Sequence, residues 1–225
     1  MPAKGHPISS KKFHLLVTAG PTREMLDPVR FLSNVSTGHM GYQIAREAKK
    51  IGFQVTLVSG PTALRPPQGV RYIPVLTADQ MHRAILKFWS ATDILVMTAA
   101  VCDYTPVRFS PSKIKRIRQK SIQFKRTADI LESVGRRKGN RIIVGFALET
   151  EEVEQNAARK LKRKNLDFIV ANWYNSRNNP FGDRRISMIL MDRRGDKKQF
   201  NQMTKTQAAR VILKEILYLI RIKKS

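Results

Sequence analysis

Three observations predict an α/β domain: a three-layer, Rossmann-like, mostly parallel sheet with a C-terminal hairpin and helix. Short apolar runs alternate with stretches of helical spacing through most of the 225 residues, the pattern of parallel strands joined by right-handed crossovers. The first apolar run empties into a loop of small residues that leads to a helix, the place where such folds bind phosphate. Near the end two short runs flank Arg193-Arg194-Gly195-Asp196, a hairpin turn.

Taken in order, residues 13–17 (FHLLV) form the first expected strand. Residues 18–41 then carry three glycines, two prolines and a cluster of Thr, Ser and Asn, far beyond a median connection of ~4–6 residues. A helix is expected over 41–51, a strand over 54–58, a helix over 78–90 and a strand over 93–97. Residues 103–125 follow as a second long loop, with Pro106 and Pro111 and many cations. Loops above ~12–15 residues in a compact domain are usually functional or disordered. Further on come a helix over 130–137, a strand over 142–146, a helix over 151–164 and a strand over 167–170. Runs 186–191 and 198–201 make the hairpin, and a final helix over 204–222 places Ala208, Ile212, Ile216 and Leu219 on one face. The expected organisation is a basic, disordered tail (1–12) and a single domain (13–225) whose flap is 103–125. No internal repeat or second domain is visible.

Hydrophobic content of 42% supports a sizeable core. One cysteine, Cys102, excludes an internal disulfide and fits a reducing compartment. His6, His14, His39 and His82 are scattered without metal-ligand spacing. The amino end lacks an apolar signal region, and no segment reaches the ~20 apolar residues needed to span a bilayer, so a cytoplasmic protein is expected. Net charge is +25, from 42 Lys and Arg against 17 Asp and Glu. Residues 103–126 hold eight cations and one acid, and 159–164 hold five cations in six positions. Such a balance attracts polyanions, but zinc-finger, RNP and Gly-Lys-Ser/Thr signatures are absent, so specific nucleic-acid binding is not expected.

Six blocks in order carry a resemblance: TAGPTREMLDPVRFLSN-STG-MG, VTLVSGP, AAVCDY, KIKR, VGFALET and KLKRKNLDFIVAN. They resemble the phosphopantothenoylcysteine synthetase family in its bacterial form, over about residues 13–217, without the flavin-dependent decarboxylase often fused to it. The resemblance implies a ligase of coenzyme A biosynthesis. In that reaction the carboxylate of 4′-phosphopantothenate attacks the α-phosphate of CTP, giving an acyl-cytidylate and pyrophosphate. The amine of L-cysteine then displaces CMP. It also implies Mg²⁺ with the CTP, and a homodimer with loop 18–34 near its interface.

The same resemblance assigns roles residue by residue. Lys113, which opens Lys-Ile-Lys-Arg, matches the catalytic lysine, with Lys115 and Arg116 helping to hold phosphates; on composition alone the loop reads as a solvated basic segment. Asn34 matches an asparagine that steadies the acyl-nucleotidylate, although such residues also form turns. Ser36, Thr37 and Gly38 precede a helix and suit a phosphate, or an ordinary Ser/Thr cap. Thr98, Ala99 and Ala100 let a nucleotide approach the backbone, and Asp103 matches a nucleotide contact or serves as a salt-bridge partner. Phe146 resembles a wall of the base pocket, or plain core. Lys160 and Lys164 lie one turn apart and can converge on one anion, or be solvated.

One block departs from the family: Thr127-Ala128-Asp129-Ile130 replaces Asn-Pro-Asp-Ile, keeping Asp129 and Ile130 as nucleotide contacts. Thr127 is expected to cap the following helix. Two other classes compete. A basic nucleic-acid-binding protein predicts steep salt dependence indifferent to Lys113. A dinucleotide oxidoreductase is opposed by Thr18-Ala19-Gly20-Pro21, where Gly-x-Gly-x-x-Gly would stand.

Overall fold

The computed structural model describes residues 13–115, 121–175 and 178–223, so the expected tail and Arg116 lie outside it. Eight strands form one sheet, in the order β12 (Lys197–Met203), β11 (Ile186–Asp192), β10 (Phe168–Trp173), β9 (Ile142–Glu149), β6 (Ile94–Met97), β1 (His14–Ala19), β4 (Gln54–Ser59) and β5 (Arg71–Pro74). From β10 to β5 every neighbouring pair is parallel; β11 and β12 close one edge antiparallel. All six residues of β1 are buried, which is why its sequence reads as a continuous apolar run rather than an alternating one.

Successive side chains of β1 nevertheless serve two cores. Leu15 and Val17 pack with α1 (His39–Lys50) and α5 (Lys205–Ile222), through Ile44, Ile212 and Ile216. Leu16 points the other way, with Met81 and Ile85 of α2 (Ala78–Phe88), Val134 of α3 (Ile130–Gly135) and Leu161 of α4 (Val153–Arg163). This is the three-layer arrangement the sequence predicts. Each such fully buried aliphatic contributes roughly 1.5–3 kcal/mol relative to exposure.

Several elements differ from expectation. β5, with the sequence RYIP, is a short, half-exposed edge strand ending in proline, so it carries little apolar signal. The first long loop is not irregular: it folds into the hairpin β2 (Arg23–Asp27) and β3 (Arg30–Ser33). The base of the flap is likewise paired, β7 (Tyr104–Pro106) against β8 (Phe124–Arg126). Both hairpins are exposed on much of their surface, so neither shows a period-2 apolar pattern. On α5, Ile220 joins Ala208, Ile212 and Ile216 in the core, where Leu219 was expected; Leu219 is only partly buried. Thr204 caps that helix in a reciprocal capping box with Gln207.

Candidate active site

The chain leaves β1 toward β4 and β5 on one side, and builds β6, β9 and β10 on the other. The carboxyl ends of β1 and β6 therefore border a crevice at a topological switch point, where open α/β sheets receive ligands. A cleft of about 690 Å³ opens there. Its floor is Thr98, Ala99 and Ala100. Those residues are stitched to the chain leaving β1: Thr98 Oγ1 donates to the Thr18 carbonyl (2.5 Å), Ala99 N–H to Thr18 Oγ1 (3.1 Å) and Ala100 N–H to the Gly20 carbonyl (2.9 Å). Thr22 N–H returns to the Ala100 carbonyl at 3.2 Å.

The amino end of α1 forms the next wall, with Ser36, Thr37 and Gly38 all lining the cleft. Here the expected Ser or Thr cap is not found. Gly38 itself is the cap, at φ 77°, and no side chain satisfies the first-turn amides. Ser36 is turned back to its own loop, and Thr37 Oγ1 accepts from Gly182 N–H (3.2 Å). The positive φ favours glycine, and the uncapped turn leaves the positive helix end directed to the cleft. Gly41, one turn further, lets α1 lie directly on the floor: a Cβ there would stand 2.6 Å from Thr98 Oγ1 and 2.8 Å from the Thr18 carbonyl oxygen.

At the opposite end β9 outruns β6, which stops opposite Gly145. Phe146 lies in this overhang, half-buried, lining the cleft while resting on the core. Asp103, Asp129, Ile130, Lys160 and Lys164 also line the cleft. The two lysines do not converge on a common point without company. Lys160 Nζ is 2.6 Å from Glu149 Oε1, and Lys164 Nζ is 3.0 Å from Asp129 Oδ2. Asp129, not Thr127, caps α3, accepting from Glu132 N–H at 3.0 Å. Thr127 instead closes the base of the flap, donating through Oγ1 to the Cys102 carbonyl (2.6 Å) and through N–H to the Asp103 carbonyl (2.9 Å). Burial works to raise the pKa of Asp129. The Glu132 amide and the Lys164 and Arg163 cations outweigh it, and its pKa is held below the usual 3.8.

The residues on the arms sit apart from the cleft wall. Asn34 spends both amide hydrogens on the Ala100 and Val101 carbonyls, at 3.1 and 3.0 Å. That fastens the β2–β3 hairpin to the floor. Lys113 and Lys115 are exposed on the flap, and neither lines the cleft. Between them Ile114 N–H donates to Asp27 Oδ2 at 3.1 Å. Asp27 is fully buried and also accepts from Val29 and Arg30 N–H, both at 2.9 Å. Burial raises its pKa, the three backbone donors and Arg30 lower it, and the lowering wins.

Cleft residues not singled out in the sequence include Arg126, Arg163, Asn172, Phe181 and Lys205. Arg163 and Asn172 fall inside the block KLKRKNLDFIVAN, which offered a signal. Lys205, the first residue of α5, offered none. Cys102 is buried behind the floor with its thiol pKa raised by burial, as suits a packing residue.

Comparisons with known proteins match the chain in both sequence and fold. The family described as "DNA/pantothenate metabolism flavoprotein C-terminal domain" matches residues 10–219. The coenzyme A biosynthesis bifunctional protein CoaBC of Bacillus subtilis (strain 168) is 42% identical over 215 residues, covering 95% of this chain and 52% of that protein. A protein of an unknown prokaryotic organism, named cysteine/cysteine sulfinic acid decarboxylase, is 40% identical over 217 residues, 95% of this chain and 60% of that one. The chain thus spans between half and three-fifths of the length of these relatives. The crystal structure of the C-terminal domain of a CoaBC protein superposes with a TM-score of 0.79 at 37% identity, covering 95% of this chain and 97% of that one. Sequence and fold match together over most of the chain, which belongs to the DNA/pantothenate metabolism flavoprotein C-terminal domain family.

Proposed function

We propose that this chain is a phosphopantothenate–cysteine ligase of coenzyme A biosynthesis, using CTP, acting as a homodimer and working in the cytoplasm. The observation that carries the reading is the cleft itself. An uncapped helix end and a small-residue floor meet at the switch point of a sheet whose fold and sequence match a CoaBC C-terminal domain. In the first half-reaction the 4′-phosphopantothenate carboxylate attacks the α-phosphorus of CTP, and pyrophosphate leaves. In the second the cysteine amine attacks the acyl carbon, and CMP leaves with the bonding electron pair. The chain's own residues supply charge and placement: the α1 amides and the cleft cations face phosphoryl oxygens, while Phe146 walls the base.

Lys113 lies off the cleft wall, so its part in the first step requires the flap to carry it inward. Asp27 holds that flap by its backbone and sets where the swing begins. Among the described residues no cluster of three or more His, Cys, Asp or Glu is placed for a metal. A Mg²⁺ would therefore be held chiefly by triphosphate oxygens, with Asp103 on the rim as a protein carboxylate. Bound that way it screens the triphosphate charge.

Support for the dimer comes from the arms. Val29, Phe31, Leu32 and Val35 on one hairpin, and Tyr104, Val107, Phe109 and Phe124 on the other, are all exposed. A patch of that kind marks an interaction surface, and a two-fold contact would cover both arms at once. The deciding experiment is pyrophosphate release with Mg²⁺, CTP and 4′-phosphopantothenate, with and without cysteine, and with ATP in parallel. Release that needs phosphopantothenate, with repeated turnover and CMP formation only when cysteine is added, is expected. No release with either nucleotide from folded protein would overturn the reading.

A further inference from the structure

The side chain of Lys205 is a basic group with no ion-pair partner among the described residues. It is buried to 5% exposure, yet it lines the cleft. Its ammonium donates to the Pro180 carbonyl at 2.7 Å and to the Gly182 carbonyl. No carboxylate among the described residues stands at ion-pair distance; Asp183 acts on it only from further away. The position is also a poor one for a cation. Lys205 is the first residue of α5, at the positive end of that helix, and the α5 amino end meets α1 through Thr206 and Gln43. Residues 180–182 complete a strap between the two helices, because Gly182 N–H donates to Thr37 Oγ1 while its carbonyl accepts from Lys205. Isolated buried cations are costly, and proteins normally pair them.

We propose that the missing counter-ion is a phosphoryl group of the ligand: Lys205 holds the strap against the amino end of α1 and pairs with that anion when it binds. The inference rests on the ligase reading for the identity of the ligand, though not for the chemistry of the site. The surrounding groups fix the sign. Burial lowers the Lys205 pKa to about 8, so the empty cleft loses this charge as the pH passes 8. A bound dianion favours the charged form and raises the pKa again. His39, on α1, has its own pKa lowered by burial and by Lys205, so it is neutral in this range. Asp183, next to the strap, offsets only part of the burial effect. A phosphoryl group with a second pKa near ~6 is fully ionised above pH 8, which leaves Lys205 as the titrating partner among these groups.

The test is calorimetric titration from pH 7 to about 9.5, in two buffers of different ionisation enthalpy, which reports protons taken up on binding. Three anions are used separately: CTP with Mg²⁺, 4′-phosphopantothenate, and sulfate, which does not titrate here. Wild-type protein is expected to take up as much as one proton above pH 8 with at least one of them. Its affinity should then fall by up to roughly tenfold per pH unit. The phosphorylated ligand that shows the effect is the one whose phosphoryl group sits at Lys205. Lys205→Met should abolish the uptake and weaken binding at pH 7.5. Lys205→Arg, permanently charged, should keep affinity while removing its pH dependence, and circular dichroism checks that both variants fold. Uptake unchanged in Lys205→Met, or absent with all three anions, overturns the proposal. Lys205-dependent uptake with sulfate, in protein that binds neither CTP nor phosphopantothenate, would defeat the ligase reading and leave this inference standing.

Discussion

At the scale of single residues, this cleft depends on side chains with two tasks. Asp129 caps α3 and pairs with Lys164. Asp129→Ala should cost about 1 kcal/mol through the lost cap, read by chemical denaturation at pH 7. Its folded pKa lies below 3.8, so its stabilising contribution is present above that value and is lost as pH falls through the folded pKa. The gap between wild type and variant should therefore narrow in acid. Lys113→Ala should lower kcat by ~10²-fold or more with little change in fold, since one charge-stabilising donor is commonly worth that much. Asp27→Asn keeps the shape but converts one acceptor oxygen into a donor. Faster amide hydrogen exchange at Ile114 is expected, together with a lower kcat. Sequence alone placed Asp129 in the site but gave its helix-capping role to Thr127. Both are adequate caps by type, and only the backbone path of the flap decides between them. Lys205 was invisible because a lysine at a helix start reads as solvated until its burial is known.

At the scale of elements, the parallel strands other than β5, and the long helices, were legible because each buries a continuous run or a clear face. The two hairpins were not, because their apolar residues are exposed: Phe31 and Phe109 look outward rather than into a core. What the sequence did show was that both segments were too long to be plain connections. The junction of α1 with the floor gives a sharp test. Gly41→Ala would force a methyl to within 3 Å of the Ala19 and Thr98 side chains and of the Thr18 carbonyl oxygen. Overpacking of that kind typically costs 1–3 kcal/mol. Here it should also shift the amino end of α1, so a fall in thermal midpoint together with raised KM for the phosphorylated substrates is expected. A wild-type KM in a merely destabilised variant would show that the helix end does not bind them.

For the whole molecule, the net charge of +25 remains larger than the cleft needs. Many of the cations are on exposed surface, and several are paired there, as Lys198 is with Glu215 at 2.8 Å. Weak retention on nucleic acid is expected at low ionic strength. It should fall steeply with salt and be unaffected by Lys113→Ala; tight binding that persists at high salt would restore the rival class. No helix among the described residues is long and apolar enough to cross a membrane. Sedimentation should show a dimer, and replacing Phe31 or Phe109 by Asp should shift it toward monomer without unfolding the sheet.

The stitching of the floor has a consequence for anyone seeking to block this cleft with a small molecule. Pro21 pairs with Ala100 as a single extra rung beyond the ends of β1 and β6, so the floor can shift only if the sheet shifts. A compound seated there meets a surface already fastened by hydrogen bonds and loses little affinity to induced ordering. That same rigidity gives chemists little to exploit when discriminating between relatives that share the floor. Selectivity has to be sought at the rim, where Thr127 and Ala128 replace the pair expected from the family.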